Sequence, residues 1–226
     1  MALAYLLKNF SRDYRRLHMA SSALRKRENW QTKSGSGGLA GSAEKDLISA
    51  LRANLDLSIY EVNDHPSDLK HLYEHVVLPD KTLSEIFNPS ETAMKNAQRR
   101  GWGVSPDFSI RNKKTGKTLF GEIKRQDGWV EGKKPSAGRG NAHERMCKLF
   151  TPGLIKKYRE LSGITSEDIL PFWVVLEGDI TRDPKRNREI AFWFDEYDKN
   201  YFMWRPQMTD KELVEHFNQH LKQYLD

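Results

Sequence analysis

The sequence predicts an α/β protein in which a mixed central β-sheet is flanked by helices. Apolar residues recur at helical spacing before residue 100, whereas alternating and continuously apolar runs follow it. Because helical periods and strand-like periods succeed one another along the chain, helices are expected to pack on the faces of one sheet. A chain of 226 residues is long enough for one such domain with an ample core.

The first part of the chain carries mainly helical patterns. Residues 1–34 form a basic arm, and the Gly/Ser-rich stretch SGSGGLAGS joins it to a single domain over residues 35–226. A helix is predicted after Ser42, and the stretch TLSEIF carries a capping box from Thr82 to Glu85. Apolar residues at helical spacing support these helices and a further one between them: Leu47, Ile48, Leu51, Leu55, Leu69, Leu72 and Val76.

Strand patterns dominate beyond Gly101. PDFSIR, the turn NKKTGK and the stretch TLFGEIKRQ predict a β-hairpin, and REIAFWF and NYFMWRP predict two further strands. LPFWVVLEGDI is a continuous apolar run, which is typical of a central strand covered on both faces. Helices are predicted for AHERMCKLF and LIKKYREL, and a C-terminal helix opens with a capping box from Thr209 to Glu212. That last helix is expected to bury Leu213, Phe217, Leu221 and Leu225.

Charge and cysteine content narrow the class of partner. The chain has 37 Lys and Arg against 31 Asp and Glu, a net charge of +6, which favours an anionic partner. Nucleic acid is favoured over a membrane as this partner, because no segment approaches the length of continuous apolar sequence that a membrane span needs. Cys147 is the only cysteine, which excludes an intramolecular disulfide and a cysteine-based zinc cluster. With no signal-peptide pattern at the start of the chain, a reducing, cytosolic setting is expected.

Three charged residues of the predicted hairpin are expected to meet. Side chains alternate along a strand, so Glu122 and Lys124 share one face, and Asp107 points to the same side from the paired strand. Neighbouring carboxylates repel each other unless a divalent cation lies between them, and carboxylate oxygens suit Mg²⁺. A lysine beside such an ion polarises the attacking water or stabilises charge on a phosphate. The pattern indicates phosphodiester hydrolysis, with a surface ladder of ion pairs as the structural alternative.

Two rival sites have weaker support. His71 and His75, and again His216 and His220, have the spacing of two zinc ligands on a helix, but no third ligand is evident. We expect helix-surface residues there. Cys147 is expected to be a half-buried thiol in a helix rather than a nucleophile, because no partner base is evident.

The stretch SAGRGNAHERMCKLF, residues 136–150, follows the hairpin directly. Its glycines allow close approach of the backbone to a surface. Arg139, Asn141 and Arg145 are of the types that read base edges, since asparagine pairs with adenine and arginine with guanine. They surround a predicted helix N-terminus, which favours phosphate. The alternative is an ordinary solvated loop.

Taken together, PDFSI, FGEIKRQ and GNAHER resemble the EcoRI-like type II restriction endonucleases of the PD-(D/E)xK superfamily. These enzymes combine Pro-Asp…Glu-x-Lys with a Gly-Asn-Ala-x-Glu-Arg segment. The longer stretches WGVSPDFSI, LFGEIKRQDGWVEGK and PSAGRGNAHER resemble the CAATTG-specific enzymes of the MunI and MfeI type more closely still. The likeness runs from about residue 72 to residue 226 and does not include residues 1–40.

The resemblance implies a restriction-endonuclease-like fold and a homodimer that cleaves double-stranded DNA at the palindrome CAATTG with Mg²⁺, leaving AATT overhangs. It implies that Asp107, Glu122 and Ile123 bind Mg²⁺ and that Lys124 assists the water. Glu44 is a candidate for the further acidic residue that some such sites take from the preceding helix.

The resemblance also assigns the DNA-reading residues. Asn141, Ala142, Glu144 and Arg145 are implied to face the inner AATT, and Arg139 the guanine of the outer pair. Gly140 and His143 complete this DNA-binding segment. A cognate DNA methyltransferase is expected as a functional partner rather than as a bound subunit, in a prokaryotic cytoplasm. The alternatives are a repair or nicking nuclease of the same fold, and a sequence-specific DNA-binding protein without catalysis.

Overall fold

The computed structural model describes residues 36–85, 92, 95, 102–127 and 142–226. The predicted basic arm over residues 1–34 lies outside the described residues, as does most of the predicted DNA-reading loop. No helix in the described ranges is both long enough and apolar enough to cross a bilayer.

Five strands of the described chain form one mixed sheet in the order β1-β2-β3-β4-β5. The strands are β1 (Tyr60–Asp64), β2 (Phe108–Asn112), β3 (Thr118–Arg125), β4 (Phe172–Glu177) and β5 (Tyr201–Trp204). The first three strands pair antiparallel, and β4 and β5 add to β3 in parallel. The third strand therefore lies at the junction between the antiparallel and the parallel half of the sheet.

Helices cover both faces of this sheet. The α-helices whose bounds lie within the described residues are α1 (Ser36–Asn54), α2 (Asp80–Glu85), α3 (Ala142–Arg145), α4 (Pro152–Ser162), α5 (Pro184–Phe194) and α6 (Asp210–His216). Short 3₁₀ segments span Leu72–His75, Met146–Phe150, Asp179–Arg182, Asp195–Asn200 and Lys222–Tyr224, and a π turn spans Phe217–Leu221. Apolar residues of α1 and α6 pack on one face of the sheet, and those of α4 and α5 pack on the other.

The alternation of side chains along β3 divides the core in two. Leu119 and Ile123 belong to the cluster beneath α1 and α6, whereas Phe120 belongs to the cluster beneath α4 and α5. Glu122 and Lys124 follow Phe120 at intervals of two residues and therefore project on its side. Since helices cover that side as well, Glu122 is buried rather than solvated.

Several predicted elements are confirmed. The hairpin forms β2 and β3, the continuous apolar run forms β4, and NYFMWRP contains β5. The predicted C-terminal capping box is present, because the Thr209 side chain accepts from a backbone N–H of α6 and the Glu212 side chain accepts from the Thr209 backbone. The four apolar residues predicted to be buried after it are all buried: Leu213, Phe217, Leu221 and Leu225.

The prediction of a strand at REIAFWF is wrong, because this stretch belongs to α5. Asp183 caps that helix by accepting from the Lys185 N–H at 3.0 Å, and Pro184 occupies the first turn. Ile190 and Phe194 lie one helical turn apart and are both buried. The start signal and this spacing outweigh the strand preference of the aromatic residues.

Two smaller predictions are also wrong, and one strand was not predicted. The helix predicted around Leu69 to Val76 is limited to a turn and the 3₁₀ segment, and α2 begins at Asp80, so that Thr82 lies within it. Strand β1 was not predicted, although Tyr60 and Val62 alternate as buried residues. These segments are short, and their conformation depends on neighbours that are distant in sequence.

Candidate active site

Asp107 immediately precedes β2, and its carboxylate reaches across to β3. The Oδ2 atom accepts a hydrogen bond from the Ile123 N–H at 2.8 Å and another from the Lys124 ammonium at 3.0 Å. The Asp107 carbonyl in turn accepts from the His65 N–H at 3.1 Å. Both the backbone and the side chain of Asp107 are therefore held in place. The structure brings Asp107, Glu122 and Lys124 together, as their positions in the hairpin predict.

Glu122 is the most deeply buried member of this group, with 3% of its surface exposed. Its Oε2 atom contacts the Lys124 ammonium. Its Oε1 atom is buried and has no hydrogen-bond partner among the described residues. A buried carboxylate oxygen without a partner is costly, so the site favours a cation or a further donor at this point.

Three oxygen atoms surround the Lys124 ammonium. They belong to the carboxylates of Asp107 and Glu122 and to the Ile123 carbonyl, which lies 3.1 Å from the Lys124 nitrogen. An ammonium group has three donors, so this arrangement uses all of them. The same three residues are the expected ligands of Mg²⁺. The donor set fits a hard divalent cation, because two carboxylates and one backbone carbonyl converge where a positive charge is already held.

The electrostatics of the group follow from its burial. Burial raises the pKa of the Glu122 carboxyl above its usual range, and repulsion from Asp107 adds to this rise although Lys124 opposes it. Burial also opposes the charge on Lys124, but the two carboxylates outweigh it and raise the pKa of the ammonium. A positive charge is therefore strongly favoured between the carboxylates.

A close approach between β2 and β3 sets this geometry. Phe108 and Gly121 are partners in the register of the two strands. A Cβ atom on Gly121 would lie 2.1 Å from the ring of Phe108, so only glycine allows this packing. The register that results leaves the Asp107 carboxylate within hydrogen-bonding distance of the Ile123 N–H.

Glu44 reaches the same site from α1. Its Oε1 atom lies 2.8 Å from Nε2 of His65. Burial raises the pKa of Glu44, pairing with His65 lowers it, and the negative charge of Asp107 raises it again. The candidate carboxylate is thus within electrostatic reach of the central group.

Neither His65 nor its neighbour Asp64 was predicted to be a site residue. With Glu44 they form a group whose potential ligand atoms lie within 4.8 Å of one another. No motif singles out His65, because its position depends on α1 and on the pairing of β1 with β2. The only local signal is the turn-forming stretch NDHP, in which His65 adopts a positive φ of 45°.

The predicted DNA-reading segment is described only in part. Arg139, Gly140 and Asn141 lie outside the described residues, and for Ala142 and His143 only the helical backbone is described. Glu144 and Arg145 are exposed, and α3, which carries them, contacts β3. The described end of the segment therefore lies next to the strand that carries Glu122 and Lys124.

The rival sites do not assemble. His216 is half-buried and stacks on Trp173, and its Nε2 atom bonds to the Lys199 carbonyl at 2.9 Å. Neither it nor His71, which pairs with Glu74, belongs to a group of three metal-ligating side chains within the described ranges. His71 is exposed, as expected for a surface residue, whereas His216 is half-buried. The prediction of a half-buried Cys147 is wrong, because Cys147 is exposed.

A mixed sheet that brings two carboxylates and a lysine together at its central strand defines a nuclease of the PD-(D/E)xK class. The family model described as type II restriction enzyme MunI matches residues 19–226, and the chain belongs to this family. The fold class and the type II restriction endonuclease activity expected from the sequence are confirmed.

A sequence match and a match to a solved structure, both named MunI, support this conclusion over nearly the full length of the matched chains. The type II restriction enzyme MunI of Mycoplasma sp. is 58% identical over 208 residues, which cover 92% of this chain and 100% of the relative. The crystal structure of MunI restriction endonuclease in complex with cognate DNA is 57% identical, with a TM-score of 0.66. That match covers 80% of this chain and 96% of the solved one.

Proposed function

We propose that this restriction endonuclease cleaves both strands of the palindrome CAATTG with Mg²⁺, and that Asp107, Glu122 and Lys124 carry the reaction. The observation that supports this best is the convergence of three oxygens, from Asp107, Glu122 and Ile123, on the Lys124 ammonium. Such a group of oxygens attracts a divalent cation, and the lysine remains beside it to serve the phosphate.

The carboxylates of Asp107 and Glu122 and the carbonyl of Ile123 would hold the ion. When bound, Mg²⁺ supplies Lewis-acid stabilisation of the charge that develops on the scissile phosphate. Lys124 orients the attacking water and donates a hydrogen bond to the phosphate, so that its positive charge offsets the charge of the transition state. Glu44 is proposed as an additional acidic residue of this site, because it faces Asp107 from α1 and its carboxylate is held by His65.

DNA sequence is read by the segment from Arg139 to Arg145 in this proposal. Asn141, Ala142, Glu144 and Arg145 face the inner AATT, and Arg139 binds the guanine of the outer base pair, with Gly140 and His143 alongside. The exposure of Glu144 and Arg145 next to the catalytic strand supports this assignment. So does the solved relative, which is a complex with cognate DNA.

A palindrome is read on both strands by two copies of one segment, and we therefore propose a homodimer. Residues 35–226 are proposed to form one domain that carries both catalysis and recognition. The proposed setting is a prokaryotic cytoplasm, where a cognate methyltransferase protects host DNA without binding as a subunit.

Cleavage of a plasmid with a single CAATTG site tests the proposal. We expect linear product with Mg²⁺, none with EDTA, and none from a matched plasmid in which the site is GAATTC. Nicked circles as the end product would identify a nicking enzyme, and a gel shift without any cleavage would identify a binding protein. Sedimentation of the enzyme on a cognate duplex checks the dimer, since a monomer on that duplex contradicts it.

A further inference from the structure

Two buried polar atoms without partners lie on the same side of the sheet. One is the Oε1 atom of Glu122, and the other is the hydroxyl of Tyr158, a residue of α4 that is fully buried. Neither atom has a hydrogen-bond partner among the described residues. Buried polar groups are nearly always hydrogen-bonded, so each of these atoms calls for a physical explanation.

Ring packing places Tyr158 directly over the catalytic strand. Its ring meets that of Phe120 edge to face, with centroids 5.2 Å apart, and that of Phe172 at 5.8 Å. Phe120 and Phe172 are partners in the register of β3 and β4, and Glu122 follows Phe120 on the same face. Tyr158 therefore covers the sheet beside Glu122, on the side to which the Glu122 carboxylate projects.

The hydroxyl of Tyr158 is available as a donor at this point. Burial raises its pKa, and the negative charges of Glu122 and then Asp107 raise it further. The phenol therefore remains protonated, and the carboxylates of the active site are the charges that influence it most. A protonated hydroxyl and an unpartnered carboxylate oxygen are complementary.

We propose that Tyr158 is a positioning residue of the active site, whose hydroxyl donates through one ordered water to Oε1 of Glu122. A bridging water would satisfy both atoms, which are buried on the same face and do not bond each other directly. This contact fixes the rotation of the Glu122 carboxylate, with Oε2 towards Lys124. It leaves one lone pair of Oε1 for the cation. The inference rests on the proposed role of Glu122 as a metal ligand.

Tyr158→Phe tests the inference, because it removes the hydroxyl and keeps the ring that packs on Phe120. The Mg²⁺ concentration that gives half-maximal cleavage should rise roughly threefold to tenfold, while kcat at saturating Mg²⁺ and the KM for DNA change little. The Mg²⁺ concentration at which the melting midpoint rises should shift by the same factor, and this measurement does not depend on cleavage. Without metal, the midpoint should fall by about 2–4 °C through loss of one hydrogen bond.

Tyr60→Phe is the matched control, since the Tyr60 hydroxyl bonds Asp226 Oδ1 at 2.6 Å on the other side of the sheet. It should lower the melting midpoint and leave the Mg²⁺ requirement at the wild-type value. A wild-type Mg²⁺ requirement in Tyr158→Phe, or a higher melting midpoint, overturns the inference, because the hydroxyl is then an unpaired atom of the core. The proposed function fails by a different result, namely cleavage by an Asp107→Ala enzyme.

Discussion

Replacing Lys124 with methionine tests whether the site is a group of oxygens that needs a positive charge. The change keeps an unbranched side chain as far as Cε and removes the ammonium that three oxygens contact. The side chains of Lys124 and Glu122 are only 16% and 4% exposed, so their charges are weakly screened. Removing one partner of such a buried group costs about 3–5 kcal/mol. We expect the free energy of unfolding to fall by about 3 kcal/mol, near the lower limit of this range, because the Asp107 side chain is 20% exposed and retains some solvent.

Mg²⁺ should restore more stability to Lys124→Met than it adds to the wild type. The ion and the ammonium compete for the same oxygens, so loss of the ammonium should tighten ion binding. Each tenfold decrease in the dissociation constant adds about 1.4 kcal/mol at saturating Mg²⁺. Cleavage should nevertheless be lost, because no lysine remains to serve the phosphate.

Urea unfolding with and without Mg²⁺ measures both effects. Lys157→Met is the matched control, since Lys157 forms an exposed pair with Glu160 at 3.0 Å, and such pairs contribute at most about 1 kcal/mol. Lys124→Met with wild-type stability and a wild-type response to Mg²⁺ would refute this interpretation of the site.

Three further predictions concern the metal, the outer base pair and acid stability. Asp107→Ala should abolish cleavage but retain specific binding. Without metal it should bind DNA at least as tightly as wild type, since it removes a carboxylate that repels the DNA phosphate. Cleavage at the wild-type rate would contradict this. Arg139→Lys keeps the charge but loses the planar guanidinium, so discrimination against GAATTC should fall by roughly 1–3 kcal/mol while non-specific binding is kept. Cleavage of duplexes that vary only in the outer base pair measures this discrimination. Discrimination at the wild-type level would exclude Arg139 as the residue that reads the outer pair. Burial lowers the pKa of His216 to about 4 from its ordinary 6.5. The contribution of the neutral imidazole to the stability of the fold is therefore complete above pH 6.5 and is lost as pH falls towards 4. Urea unfolding at pH 7 and pH 5 should show that the free energy of unfolding falls by about 2 kcal/mol more in wild type than in His216→Gln. An equal fall in both proteins would contradict the assignment.

Local sequence patterns predicted the part of the fold that carries the site. The hairpin shows clear alternation and β4 is a continuous apolar run, each over five or more residues. Thr209 and Glu212 form their capping box within one turn of helix. By contrast, aromatic and β-branched residues in REIAFWF mimic a strand, although Asp183 and Pro184 start a helix just before it. Because the helix-start signal lies before this stretch, the residues of the stretch by themselves predict a strand.

The candidate site could be predicted only as far as it is made by one hairpin. Asp107, Glu122 and Lys124 are brought together by β2 and β3, whose pairing the alternation predicts. His65 and Tyr158 come from β1 and α4, and their places depend on packing between elements that are distant in sequence. Glu44 was reachable from the sequence only through the family resemblance, because nothing local distinguishes it from other carboxylates of a helix.

Gly121 explains why the spacing of the motif, and not its presence alone, makes a site. Other Glu-x-Lys and Pro-Asp pairs occur in this chain, including Glu131 with Lys133, without a paired strand pattern beside them. In β3 the absence of a side chain at Gly121 leaves room for the Phe108 ring. The register of β2 and β3 that results lets the Asp107 carboxylate accept from the Ile123 N–H. That bond directs the Asp107 carboxylate to the point where Glu122 and the Ile123 carbonyl already converge. The geometry of the candidate site is therefore a consequence of strand packing, and a change at the apolar contact of Phe108 with Gly121 should disturb the proposed cation site.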